Sequence, residues 1–226
     1  MFLVDLLFPK NCLECGRKDD FVCPSCINRL KNLKQICPYC EKPSVDGVTH
    51  AKCVRSQGLD GLVSLWPYEG VVRKALLALK YKFAKQVAEE LVSYILVKLK
   101  KSEVALVKEA VLIPIPLYWY RENFRGFNQS EEIGKVVSQK MGWGFIADLL
   151  IRKRLARPQT ELKGDERSKN IRGVFAINEF YKSLITSHQS LIVFDDVYTT
   201  GSTLKEACKV LKRKGARQVW GLTITR

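Results

Sequence analysis

Asp195 and Asp196 close an apolar run, and a turn rich in hydroxyls follows them: residues 191–203 read LIVFDDVYTTGST. Leu191 to Phe194 predict a buried strand, and the apolar spacing of Leu204, Cys208 and Leu211 predicts a helix from Ser202 to Lys214. The turn between them then lies at a strand's C-terminal end, where open parallel sheets bind ligands. Gly201 lets the backbone approach an anion, and Thr199, Thr200, Ser202 and Thr203 supply hydroxyls beside the amides of the helix start. Tyr198 to Thr203 therefore read as a phosphate cradle. Carboxylates repel phosphate, so the acidic pair needs another partner. Sugar hydroxyls and a bound Mg2+ supply one. A sugar phosphate fits both halves of the motif, whereas a simple anion fits one.

Seven of the eight cysteines fall between Cys12 and Cys53. Cys12-x2-Cys15, Cys23-x2-Cys26 and Cys37-x2-Cys40 are knuckle pairs, and Cys53 follows thirteen residues after Cys40. Paired cysteines without a secretion signal point to metal rather than disulfides, and thiolate pairs from two knuckles make a closed tetrahedral zinc site. The simplest assignment gives one zinc to Cys12, Cys15, Cys23 and Cys26. Cys37, Cys40 and Cys53 lack a fourth cysteine, and His50, three residues before Cys53, is the candidate replacement. One zinc is expected and a second depends on His50; an interleaved pairing of Cys12/Cys15 with Cys37/Cys40 stays open. So small a module has little core of its own, so zinc supplies its folding energy. Cys208, on an apolar helix face, reads as a core residue.

The elements that must position these groups divide the chain into a cysteine-rich module, residues 1–58, and a domain over 59–226, with Ser56-Gln57-Gly58 at the boundary. Leu62 to Tyr68 predict a strand, Val71 to Leu79 and Ala84 to Leu99 predict helices, and Val111 to Ile113 predict a short buried strand closed by Pro114-Ile115-Pro116. Asn128 to Met141 read as a helix that Asn128 can cap. Residues 161–172 read as partly helical, and Gln218 to Thr223 as a last strand. Strands alternating with helices predict an α/β domain with a mainly parallel sheet flanked by helices.

The net charge of +15 is unevenly placed: residues 1–60 hold nine Lys/Arg against seven Asp/Glu, and residues 61–226 hold 29 against 16. The larger domain should attract a phosphorylated substrate, a polyanion, or both. The apolar run Met1 to Pro9 is broken by Asp5 and lacks a basic lead, so it reads as neither signal peptide nor membrane span. A soluble, cytoplasmic protein is expected. His50 and His188, the two histidines, lie outside the loop motif, so no general base is assigned.

LIVFDDVYTTGST resembles the signature of type I phosphoribosyltransferases, which bind phosphoribosyl diphosphate (PRPP) with Mg2+. Three further segments narrow the resemblance: Arg125-Gly126-Phe127-Asn128-Gln129, Arg157-Pro158-Gln159-Thr160-Glu161-Leu162, and the R-x-x-N-x-x-G-x-F pattern of Arg167, Asn170, Gly173 and Phe175. Together they resemble the ComF/GntX family, whose members join an N-terminal zinc ribbon to a phosphoribosyltransferase-like domain. The likeness covers essentially the whole chain. It implies that Asp195 and Asp196 hold the ribose hydroxyls and that Tyr198, Thr199, Thr200, Gly201, Ser202 and Thr203 hold the 5-phosphate. Pro114, Ile115 and Pro116 would border the diphosphate, with Arg121, Arg125, Asn128 and Gln159 lining the pocket. Where family members often carry a threonine three residues before that glutamine, this chain has Ala156, and where a final knuckle would carry a cysteine it has Ser56.

The resemblance also implies a link to DNA uptake during natural transformation. Three readings follow: a Mg2+-dependent phosphoribosyltransferase, a protein that keeps the fold but handles single-stranded DNA or other DNA-uptake proteins, and a sensor of PRPP. Arg152 to Arg172, with eight Lys/Arg and three Asp/Glu, could cover PRPP or simply face solvent. Tyr118-Trp119-Tyr120-Arg121 and Phe124-Arg125 could stack on bases or line a core.

Overall fold

In the computed structural model, residues 10–79, 84–100, 109–117, 128–153, 171–187 and 190–226 are described. Strands β1 (Gly61–Trp66), β2 (Ala110–Pro114) and β3 (Gly144–Phe145) join β6 (Ser190–Val197) and β7 (Gln218–Thr225) in a parallel sheet ordered β1-β7-β6-β2-β3. Strands β4 (Leu150–Arg152) and β5 (Phe175–Ile177) form a separate antiparallel pair. The helices are α1 (Pro24–Arg29), α2 (Gly70–Ala78), α3 (Ala84–Leu99), α4 (Gln129–Met141), α5 (Lys182–Ser187) and α6 (Ser202–Arg213).

Alternation along the strands sends side chains to two buried faces. Leu112, Ile192, Phe194, Leu222 and Ile224 pack with α2, α3 and α4 through Val72, Leu91, Ile95, Ile133 and Val137. Leu62, Val111, Ile113, Leu191, Val193 and Val219 face Leu204, Cys208 and Leu211 of α6, together with Leu150 and Phe175. This two-sided burial explains why β2 and β6 read as continuous apolar runs in the sequence.

The cysteine module folds onto the domain rather than apart from it. Phe21, Val22, Cys23, Cys26 and Ile27 belong to the same core as Leu65, Val72 and Leu91. Glu90 of α3 anchors the join: its Oε2 accepts the amides of Phe21 and Val22 at 2.7 and 2.9 Å. Gln35 extends the module along the sheet edge, donating to the Ser64 carbonyl at 2.9 Å and accepting the Ser64 amide at 3.0 Å. Strand β1, which would otherwise expose an unpaired edge there, is capped by a side-chain amide.

Candidate functional site

The head of α4, the exit of β2 and the exit of β6 converge at one end of the sheet. Asn128 caps α4, its Oδ1 accepting the Ser130 amide at 3.1 Å, while its Nδ2 donates to the Ile115 carbonyl at 3.1 Å. Capping and loop tethering are thus one side chain's work. Ile115 in turn donates its amide to the Phe194 carbonyl at 2.8 Å, so the Pro114-Ile115-Pro116 segment runs beside the end of β6. There Ser130 Oγ approaches Asp195 Oδ1 at 3.4 Å, a long contact, and the Asp196 amide donates to the same oxygen at 3.0 Å. Burial, and then the neighbouring Asp196 carboxylate, push the Asp195 pKa well above the usual carboxylate range. Arg152, at the end of β4, works against that shift and places Nη1 3.5 Å from the Pro116 carbonyl.

The turn after β6 is tight. Gly201 has φ +69, and a Cβ there would lie 2.3 Å from the Tyr198 ring. Glycine is required both by the left-handed backbone and by the ring beneath it. Thr200 and Ser202 bond through their hydroxyls, the Lys205 Nζ donates to the Thr200 carbonyl at 3.1 Å, and Ser202 opens α6. Partial charge at the N-terminus of this twelve-residue helix favours an anion in the turn.

Tyr198 is not on the open side of the turn. Its ring is buried, and its hydroxyl donates to the Pro38 carbonyl at 3.2 Å, inside the cysteine module. Asp195, Asp196, Thr200, Ser202, Pro114, Ile115, Pro116 and Asn128 come together here, with Thr199 exposed at the rim. Arg121, Arg125 and Gln159 lie outside the described residues, as do most of the basic segment 152–172 and the aromatic residues at 118–120 and 124. Ser130 and Lys205 are not picked out by the sequence, and Arg152 enters there only as the first residue of the basic segment to Arg172. Ser130 directly follows the Asn128-Gln129 motif, which was a usable signal; Arg152 and Lys205 carry none beyond charge.

The cysteines form two clusters: Cys12, Cys15, Cys23 and Cys26, and Cys37, Cys40, His50 and Cys53, with the ligand atoms of each within 4.8 Å of one another. The interleaved pairing does not form. Cys15 and Cys23 Sγ atoms are 3.7 Å apart, close to the edge of about 3.8 Å that a zinc tetrahedron with 2.3 Å bonds requires. In the second cluster His50 turns Nδ1 to Cys40 Sγ at 3.3 Å and Nε2 to the Pro43 carbonyl at 3.2 Å. An outer-shell carbonyl holding one ring nitrogen while the other faces the metal is the usual arrangement for a ligating histidine.

The clusters repeat one design. Cys12 donates its amide to the Arg17 carbonyl at 2.7 Å and Cys37 to the Lys42 carbonyl at 3.0 Å; Gly16 and Glu41, both with positive φ, donate back to Cys12 and Cys37 at 2.9 and 3.0 Å. Burial would raise the Cys12 and Cys37 thiols, but backbone amides outweigh it and draw both to about 6. His50 and Cys53 take the places of Cys23 and Cys26, each pair spanning one short helical turn. Eight ligands thus fit two structural zinc ions, and no position remains open for catalysis at either.

The comparisons agree with this arrangement. A family model described as a double zinc ribbon domain matches residues 3–54. The Competence protein F of Haemophilus influenzae is 27% identical over 218 residues, covering 89% of each chain. The Competence protein ComFC of Bacillus subtilis is 29% identical, covering 93% of this chain and 86% of that one. The DNA utilization protein YhgH of Escherichia coli K12 is 26% identical, covering 90% of each. The chain is similar to these competence and DNA utilization proteins over nearly its whole length. The similarity spans both the ribbon and the parallel-sheet domain, which also share one core. Among the described residues, no helix is long and apolar enough to cross a membrane.

Proposed function

We propose that this protein binds PRPP at the C-terminal end of β6 and works in the uptake or handling of DNA. The observation that carries the binding half is the pairing of Asp195 and Asp196, at a strand's end, with a Gly201-bent turn that opens α6. Carboxylates accept hydrogen bonds from a diol, and the turn with its helix start accepts a phosphate; a ribose 5-phosphate presents both. The diphosphate of PRPP then extends toward Pro114-Ile115-Pro116 and the head of α4, where Arg152 adds positive charge. Mg2+, when bound with PRPP, neutralises part of the diphosphate.

In the transferase form of this reading, a nitrogen nucleophile bonds to C1 of the ribose as the C1–O bond to diphosphate breaks, and the diphosphate leaves with the electron pair. Asp195 and Asp196 orient the sugar, and the turn holds the 5-phosphate still while charge develops at C1. The DNA half rests on the relatives named for competence and DNA utilization, and on the +15 charge of the chain.

Calorimetric titration of PRPP, with and without Mg2+, tests the binding half in the wild type and in an Asp195→Asn/Asp196→Asn variant. Mg2+-dependent binding that the variant loses supports the reading. No binding by folded, zinc-loaded wild type removes it, and leaves the fold serving DNA alone.

A further inference from the structure

An open groove of about 760 Å³ lies between the second zinc cluster's flank and the first two turns of α6. Arg55 and Tyr39 form its wall on the ribbon side; Thr200, Ser202, Lys205 and Lys209 form the opposite wall. We propose that this groove is a second anion subsite, shared between ribbon and domain, that takes a phosphate ester. The inference rests on the proposed function only in that Thr200 and Ser202 also border the turn after β6.

Three cations face the groove, and among the described residues none of them is in an ion pair, the Glu41 carboxylate acting on Lys205 only from a distance. The Arg55 guanidinium carbon lies over the Tyr39 ring, 4.4 Å from its centroid, and Arg55 lines the groove. Lys205 lies 5.6 Å from the same ring on the domain side, and burial draws its pKa down, so an added anion there would favour the charged ammonium. Lys209 stands one helical turn further along α6, half-buried in the groove wall. The one acidic residue of the lining, Glu206, already accepts the Gly173 amide at 2.7 Å.

Tyr39 is also fixed, since its hydroxyl accepts the Leu59 amide at 2.7 Å. A groove whose walls carry three cations, Arg55, Lys205 and Lys209, is suited to a phosphate ester. Phosphate esters come from two sources, a free nucleotide or the backbone of a single strand.

The test titrates dTMP and the oligonucleotide dT10 separately into zinc-loaded wild type and into an Arg55→Ala/Lys209→Ala variant, with PRPP and Mg2+ as the reference ligand. The subsite predicts at least about a tenfold loss for one of the two probes, and for dT10 a salt slope lower by roughly 1–1.5, as two lost strand contacts require. Loss confined to dTMP assigns the small ligand, and loss confined to dT10 assigns the strand. An Arg55→Lys/Lys209→Arg variant should retain binding, which separates charge from folding. Unchanged affinity and salt slope for both probes overturn the subsite, as does equal loss in the charge-retaining variant. PRPP binding should survive Arg55→Ala/Lys209→Ala and vanish in Asp195→Asn/Asp196→Asn, so failure of one reading is told apart from failure of the other.

Discussion

The Tyr198 hydroxyl donates to the Pro38 carbonyl at 3.2 Å, joining the turn after β6 to the first knuckle of the second zinc cluster. Pro38 follows the ligand Cys37, so a zinc ligand and the candidate phosphate turn are held by adjacent stretches of backbone. The Gly201 position beneath which the Tyr198 ring passes completes the link.

Tyr198→Phe removes one buried hydrogen bond and leaves the Pro38 carbonyl without this donor. A loss of about 1 kcal/mol is expected, which for a chain of this size lowers Tm by roughly 2–4 °C. Differential scanning calorimetry of the zinc-loaded protein reads it. An unchanged Tm would mean that the turn and the ribbon are not energetically joined.

Gly201→Ala should be harsher. The new methyl meets the Tyr198 ring at 2.3 Å and the backbone must keep φ +69, so ring or turn has to move. Strain of this kind costs about 1–3 kcal/mol, and ligand binding at the turn should weaken more than the Tm alone suggests. Parallel measurement of Tm and PRPP affinity checks it; retained affinity would remove the turn from the site.

The two zinc clusters should differ in what their loss does. Cys23 is fully buried in the main core, whereas Cys40 is exposed. Cys23→Ser and Cys40→Ser should each lower bound zinc from two ions to one, read by elemental analysis, but Cys23→Ser should lower Tm further. Glu90→Ala tests the same join from the helix side: two amides lose their acceptor, at about 2 kcal/mol in total. Equal Tm losses for the two cysteine variants would contradict a first ribbon built into the core.

Asp195 gives a pH dependence. Its pKa is raised in the folded state, so the folded chain holds that proton more tightly than the unfolded chain does. Its contribution to stability is full below the unfolded value and is lost as pH rises through the raised one. Asp195→Asn removes this burden: its Tm should exceed the wild type's at pH 8, and the gap should narrow as pH falls through the raised value toward the ordinary carboxylate range. A gap that is absent at pH 8, or that widens on acidification, would contradict the assignment.

Long periodic segments were legible in the sequence because burial acts on every turn. Helix α3 occupies the predicted Ala84–Leu99, with Val87, Leu91 and Ile95 all buried. Strand β6 runs three residues past the predicted Phe194, since Asp195 and Val197 still pair with Thr223 and Thr225 of β7. Strands β3, β4 and β5 went unread, being two or three residues long and too short to show a period. Their pairing partners are remote in sequence, and so is the order of the sheet. The position of Tyr198 was hidden for the same reason, as Pro38 lies 160 residues away. The second zinc cluster could be foreseen only as far as His50; its Nδ1 orientation depends on the Pro43 carbonyl, which no spacing rule encodes.

The most direct measurement is a crystal structure of the zinc-loaded protein with Mg2+ and PRPP bound. The account predicts the ribose hydroxyls within hydrogen-bond distance of Asp195 and Asp196, and the 5-phosphate against the amides of the turn from Thr199 to Thr203. PRPP bound elsewhere, or an empty turn at saturating PRPP, would contradict it.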